Sequence, residues 1–452
     1  MKKRANLKQL SKVWLYLLVV ALFGGTVVFP GHASAQTGPT LQAKSALLVD
    51  AKTGKILYEK NADQMLPPAS MTKMMTEYLV LKAIDSGKIK WTTVVPVSNK
   101  VKDLSRDQSF SGFPLRTDYK YTVSSLFDAL IIPSSNAAAM AFADLLGGNE
   151  SKFVDQMNQT AKTLGMTKTK YTNSSGLDNV DLGSKYIAQG GPNDTDLTTA
   201  KDLAILSYHL LNDFSASVSN QAIQVSSTAR KDFQAGPGEV DHMVSTNWML
   251  SDFDQYGPNM KVYEYQGVDG LKTGYTSLAG YCFAGSVVRG DRRFLSVVMG
   301  TRSEGDRFLQ TKALYDYGFQ QTSNQTIVKA GYTFKNQKTL PVSKGKQDQV
   351  GIAVNKTLSL PIDNGEKNNY KVVLHLNKSL LNADGTLQAP VKKGQKVGYA
   401  TVESMSSDKL GYIGQAPKLD VVATSSVDKA NWFVLLFRNV GHFFSGLIHH
   451  GK

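Results

Sequence analysis

Three short clusters in this 452-residue sequence carry side chains fit for acyl transfer: Ser70-Met71-Thr72-Lys73, Ser134-Ser135-Asn136 and Lys272-Thr273-Gly274. A serine hydroxyl is a poor nucleophile until a neighbouring base takes its proton. Residues three apart on a helix share a face, which puts the Lys73 amine within hydrogen-bond reach of the Ser70 hydroxyl. A lysine in a poorly solvated pocket gives up its charge readily, because desolvation disfavours the ammonium form, and it then serves as a base. Serine and lysine at this spacing also recur by chance as a cap and a solvated side chain. The two further clusters set this pair apart, since an S-x-N turn and a K-T-G strand follow in the order a three-part active site requires.

Elements to position these residues can be read from the pattern. Two β-like runs, 45–50 and 55–60, flank the Gly-containing turn Ala51-Lys52-Thr53-Gly54 and predict an opening hairpin. Pro67-Pro68 ends that extended region, and apolar residues at Met71, Met74, Met75, Tyr78, Leu79 and Leu81 predict a helix over 70–84 with Ser70 at its start. Further helices are expected over 122–132 and 136–146, the second stopped by Gly147-Gly148, with Pro133-Ser134-Ser135-Asn136 as the turn between them. Runs 281–288 and 293–299, joined by Arg289-Gly290-Asp291-Arg292, predict a second hairpin, and a helix over 303–319 follows. Strands, a helical middle, then strands and a helix imply an α+β unit with helices packed on a sheet. From 323 to 427 the texture is that of a small all-β domain, with strands at 350–354, 370–376 and 396–402.

The two ends differ from the rest. Lys2, Lys3, Arg4, Lys8 and Lys12 precede or enter an apolar stretch over 13–29, and Ala33-Ser34-Ala35 supplies a small-residue cleavage site, so 1–35 reads as a secretory signal. Gly24-Gly25 and Pro30-Gly31 disfavour the rival reading of an uncleaved anchor. At the other end Phe433, Leu436, Phe437, Val440, Phe443, Phe444 and Leu447 fall at helical spacing, which predicts an amphipathic helix within 428–452. Bulky aromatics at the terminus of an exported chain point to a membrane surface rather than to packing on the protein itself.

Composition narrows the chemistry. The net charge of +14 permits anionic partners, but no basic run is interleaved with aromatics, so nucleic acid is not an expected partner. The lone cysteine, Cys282, allows neither an internal disulfide nor a cysteine zinc set, and no H-E-x-x-H pattern occurs. No metal or other cofactor is expected. A Ser-His-Asp hydrolase is disfavoured because the first unit offers only His209 and His242 and has no G-x-S-x-G elbow.

Taken together, the three clusters resemble those of serine penicillin-binding proteins and class A β-lactamases. Residues 45–50, Pro68-Ala69-Ser70-Met71-Thr72-Lys73, Leu130-Ile131-Ile132-Pro133-Ser134, 173–177 and 270–300 look like the low-molecular-mass D,D-carboxypeptidases, a likeness that covers most of residues 40–320. It implies a β-lactamase/transpeptidase-like antiparallel sheet with flanking helices and a helical subdomain over 36–322, then an all-β domain over 323–427 and the amphipathic helix. By the same resemblance Ser70 attacks the carbonyl of a peptidoglycan stem peptide ending in D-Ala-D-Ala, Lys73 is the general base and Ser134 relays a proton to the leaving amine. Asn136 and Lys272 position substrate, Thr273 binds its terminal carboxylate, Gly274 completes the K-T-G strand, and Arg307 stands where the family places a carboxylate-side arginine. Backbone N–H groups of Ser70 and Tyr275 hold the oxyanion. β-Lactam antibiotics are the implied acylating inhibitors, and the outer face of the cytoplasmic membrane or the cell wall is the implied location.

Two departures stand out: Ser135 replaces a common glycine and Ala137 a common aspartate. The 179–196 stretch reads as an insertion. Two alternatives stay open. A β-lactamase would need a deacylating glutamate in an E-x-x-L-N context, which Glu150, Glu239 and Glu264 lack; a non-catalytic penicillin-sensing or wall-binding module would keep the clusters without releasing D-alanine.

Overall fold

The computed structural model describes residues 38–251, 257–363, 366–406, 410–433 and 435. The expected signal segment and most of the expected amphipathic helix lie outside these residues. At the end of the described chain Trp432 and Phe433 are exposed and stacked, with ring centroids 3.8 Å apart.

In chain order, β1 (Ser45–Asp50) and β2 (Ile56–Lys60) precede α1 (Lys73–Asp85), β3 (Val94–Val95), α2 (Asn99–Ser105) and β4 (Tyr121–Thr122). Helices α3 (Val123–Ile131), α4 (Asn136–Gly147), α5 (Glu150–Leu164), α6 (Asn179–Tyr186), α7 (Ala200–Asn212) and α8 (Ala216–Ser226) form the middle. The hairpin of β5 (Arg230–Gly236) and β6 (Glu239–Val244) leads to β7 (Val268–Thr276), β8 (Gly280–Arg289), β9 (Arg292–Thr301) and α9 (Glu304–Gln321).

Strands β2-β1-β9-β8-β7 lie side by side in one antiparallel sheet. All six residues of β1 are buried, because both faces of the sheet are covered. Leu47, Val49, Leu295 and Val297 face the helical subdomain, whereas Ala46, Leu48, Phe294 and Val298 face α9. This period-two division of apolar side chains is what lets one sheet organise two cores. Burial of each large apolar side chain contributes about 1.5–3 kcal/mol. The β8–β9 turn is tighter than expected: Arg289 pairs with Arg292, which leaves Gly290-Asp291 as the two turn residues, and Gly290 supplies the positive φ of 60°.

The next unit is all-β. β10 (Thr322–Val328) pairs with β13 (Leu358–Asp363). A six-stranded sheet runs in the order β14 (Tyr370–Leu376), β16 (Lys396–Ser404), β17 (Leu419–Ala423), β12 (Gln349–Val354), β11 (Thr339–Ser343) and β15 (Leu387–Gln388). β11 and β15 run parallel, a pairing that composition does not reveal. Between β16 and β17 the chain reaches back to the first unit: Ile56 N donates to Gly411 O at 3.0 Å, Ile413 N donates to Gly54 O at 2.9 Å, and the Ile413 side chain is buried in the catalytic core.

Candidate active site

Ser70 does not begin an α-helix, as its pattern suggested, but sits in a 3-10 turn, Ala69–Thr72, from which α1 continues at Lys73. The turn is wound tightly enough to require φ of +49° at Ala69, a conformation that costs an ordinary L-residue energy and that its surroundings must impose. Those surroundings are Gly176 and Gly274, at which any Cβ would strike the backbone oxygens of Ala69 and Pro68 respectively. From the start of α1, Lys73 donates from Nζ to Ser70 Oγ at 2.8 Å, to Asn136 Oδ1 at 2.7 Å and to Ser175 O at 2.8 Å. The residue is 0% exposed. Burial drives its ammonium well below the usual lysine range, the nearby Lys272 charge adds to the effect, and Asp196 opposes it. An amine so placed can take the Ser70 proton.

The second cluster bridges α3 and α4. Ser134 adopts φ of +65°, and its buried Oγ has no hydrogen-bond partner among the described residues. A buried hydroxyl left unpaired costs free energy unless a ligand completes it. Ser135, the first departure noted in the sequence, has a local duty: its Oγ caps α4 by accepting from Ala138 N at 3.2 Å. Ala137 is buried in the helical core and has no polar part to play. Asn136 is fixed from its other end, with Nδ2 donating to Ser111 Oγ at 3.2 Å.

The third cluster lies on β7, at the opposite wall. Lys272 is buried and donates to Thr273 O at 3.0 Å. Burial brings it down to about 7, the Arg307 charge works in the same direction, and Glu77 pulls it back. Thr273 Oγ1 lies 2.5 Å from Thr246 Oγ1. Gly274 is where β7 crosses the serine turn, since a Cβ there would sit 2.5 Å from Pro68 O; Tyr275, the next residue of β7, lines the same cleft as Ser70. The Tyr275 ring is half exposed and stacks on Tyr281 at 4.2 Å. Arg307 is not a surface arginine: it is 2% exposed and donates to Gly274 O at 3.3 Å and to Glu304 Oε1 at 2.6 Å. Burial lowers it to about 10, so it remains a cation at neutral pH.

Ser70, Ser134, Asn136, Thr273, Gly274, Tyr275 and Arg307 thus line one cleft of about 230 Å³, with Lys73 and Lys272 buried beneath it. Glu150, Glu239 and Glu264 are not among its lining residues. Glu150 instead accepts from Ser174 N and Oγ at 3.1 and 2.7 Å.

Several contributors carry no sequence signature. Ser175 acts through its carbonyl, which any residue would supply. Thr246 comes from the loop after β6 and belongs to no motif. Asp196, at the end of the stretch that reads as an insertion, is 1% exposed and accepts from Thr172 N at 2.6 Å, Thr172 Oγ1 at 2.9 Å, Asn173 N at 3.3 Å and Thr72 Oγ1 at 2.6 Å. It ties the loop that bears Ser175 to the serine turn. Burial raises its carboxyl to about 6.

A serine–lysine pair between an S-x-N turn and a K-T-G strand, on a five-stranded antiparallel sheet covered by helices on both faces, defines a class of acyl-transfer enzymes. The chain belongs to the D-alanyl-D-alanine carboxypeptidase family, whose pattern matches residues 32–303; residues 323–429 match the Penicillin-binding protein 5, C-terminal domain. It is 30% identical over 400 residues to the D-alanyl-D-alanine carboxypeptidase DacF of Bacillus subtilis, covering 88% of this chain and 90% of that one. It is 31% identical over 378 residues to the D-alanyl-D-alanine carboxypeptidase DacC of Escherichia coli, covering 81% and 82%. Among solved structures, a peptidoglycan synthesis regulatory factor (PBP3) from Streptococcus pneumoniae superposes with a TM-score of 0.68 at 29% identity, over 86% of this chain and 100% of that one. Penicillin binding protein 5 from Haemophilus influenzae superposes with a TM-score of 0.64 at 27% identity, over 86% and 99%.

Proposed function

We propose that this chain removes the terminal D-alanine from peptidoglycan stem peptides ending in D-Ala-D-Ala, through an ester on Ser70. The carbonyl between the two D-alanines lies against Ser70, and Lys73 Nζ takes the hydroxyl proton as Oγ bonds to the carbonyl carbon. Negative charge gathers on the former carbonyl oxygen, and the N–H groups of Ser70 and Tyr275 meet it. The C–N bond then breaks as the Ser134 hydroxyl hands its proton to the leaving nitrogen and takes the one held by Lys73, so that D-alanine departs and Lys73 is again neutral. Water then attacks the ester carbonyl and gives a proton to Lys73, and as the ester C–O bond breaks Lys73 passes that proton to Ser70 Oγ, restoring the hydroxyl and freeing the shortened peptide acid. Asn136 orients Lys73 and the substrate amide, Lys272 supplies positive charge beside the serine, and Thr273 with Arg307 receives the terminal carboxylate. Penicillin, which presents a strained amide and a carboxylate at a similar separation, acylates the same hydroxyl. The ester it leaves is long-lived, because Glu150, Glu239 and Glu264, the glutamates between the second and third clusters, do not line the cleft.

The observation that carries this reading is the 2.8 Å contact between Lys73 Nζ and Ser70 Oγ inside a desolvated pocket. We also place the protein outside the cell, at the membrane surface or wall, with 1–35 as export signal and 428–452 as the surface-binding helix. The basic and apolar leader supports the first part of this, and the exposed Trp432–Phe433 pair at the start of the tail supports the second. The test is to incubate the protein from residue 36 with a D-Ala-D-Ala muropeptide and measure free D-alanine. Release that vanishes in Ser70→Ala agrees with the proposal. Acylation by penicillin without any D-alanine release would leave a sensing module instead.

A further inference from the structure

Glu304 and Arg307 share one wall of the cleft and are bound to each other, Nη2 to Oε1 at 2.6 Å. They differ in access to water: Arg307 is nearly sealed, whereas the Glu304 side chain is 41% exposed. A buried guanidinium without an anion is expensive, so Arg307 needs a partner at all times. Glu304 has no such need. It is the first residue of α9, whose start Ser303 caps by accepting from Asp306 N at 3.2 Å. A carboxylate there is favoured by the helix dipole and by water even when it has no ion pair. The guanidinium also donates from Nη1 to Gly274 O at 3.3 Å and lies over the Phe308 ring at 4.7 Å, while its buried Nε has no partner among the described residues. Arg307 is therefore a fixed fork with one exchangeable anion.

We infer that Glu304 is a stand-in for the substrate's terminal carboxylate: it neutralises Arg307 while the cleft is empty and yields when a ligand carboxylate enters. The inference rests on the carboxypeptidase reading and deepens it, making Glu304 a positioning residue that is also an internal competitor. A ligand with a free carboxylate must break the pair. One whose end is an ester or amide leaves the pair intact and gains nothing from Arg307. The device thus lowers the apparent affinity for the proper ligand while keeping the buried cation compensated between turnovers.

The test compares acylation of Ser70 by benzylpenicillin and by its methyl ester, as second-order rate constants, in wild type, Glu304→Gln and Glu304→Asp. Glutamine keeps the size and removes the charge; aspartate keeps the charge at the helix start and shortens its reach. The expected result is a rise of about five-fold for the free acid in Glu304→Gln, a smaller rise in Glu304→Asp, and no change for the ester in either. Equal changes for acid and ester, no change for either, or slower reaction of the acid would overturn the inference. A wild-type enzyme that reacts with penicillin but releases no D-alanine from a muropeptide would defeat the carboxypeptidase reading and leave this acid-to-ester comparison intact.

Discussion

At the scale of single residues, the site is a problem in keeping charge out of water. Lys73 and Lys272 are both buried and both have lowered affinity for their protons, and the carboxyls near them, Glu77 and Asp196, are raised by the same desolvation. Glu77 lies one helical turn beyond Lys73, on the same face of α1. Its carboxyl is raised from 4.5 to about 8. Between those values the folded state holds a proton that the unfolded chain has released. Its contribution to stability is therefore complete below about pH 4.5 and is lost as pH rises through about 8. Replacing it by the neutral isostere, Glu77→Gln, should raise the melting temperature above wild type by a margin that grows as pH increases across this window. A margin that is the same at both ends, measured by thermal unfolding, would contradict the assignment.

At the scale of elements, the site depends on two close crossings at the serine turn, and Gly274 is the clearer of them. In Gly274→Ala the new methyl would press on Pro68 O, so β7 must retreat from the turn and carry the Tyr275 backbone away from Ser70. Removal of one donor to a developing oxyanion costs about 10²–10³ in rate. We expect a loss of that order in penicillin acylation, with the far-ultraviolet spectrum unchanged; near-wild-type acylation would show that the crossing is not needed. The same scale shows what the sequence can and cannot convey. The opening hairpin, the β8–β9 hairpin, helices α1, α3, α4 and α9 and the three clusters were legible because each rests on local periodicity or local turn chemistry, whereas helices α2 and α5 to α8 and the β5–β6 hairpin were not read from the sequence. The 3-10 form of the serine turn was not, since it is imposed by Gly176 and Gly274, which arrive from distant segments. Ser175, Thr246 and Asp196 were hidden for a related reason: two act from loops without a motif, and one acts through a backbone carbonyl.

At the scale of the whole molecule, the all-β unit is joined to the catalytic unit by more than the chain passing through Thr322. The segment around Gly411 pairs with the start of β2, and Ile413, 6% exposed, completes the catalytic core from outside it. Loss of a buried isoleucine to alanine costs about 2–5 kcal/mol. In Ile413→Ala the catalytic unit should therefore melt earlier and separately from the all-β unit in calorimetry; a single transition at the wild-type temperature would mean that the contact contributes little. Everything the two units build finally serves to keep one amine dry beside one hydroxyl. The most direct test is the pH dependence of Ser70 acylation by penicillin in wild type beside Lys73→Arg. In the proposed mechanism deprotonated Lys73 is the base, so the wild-type rate should climb as pH rises, with a midpoint well below the 10.5 of an ordinary lysine. Lys73→Arg, which stays protonated throughout, should be slower by about 10²–10⁴ with no such climb. A wild-type midpoint at the ordinary lysine value, or an arginine variant that acylates at the wild-type rate, would contradict the account.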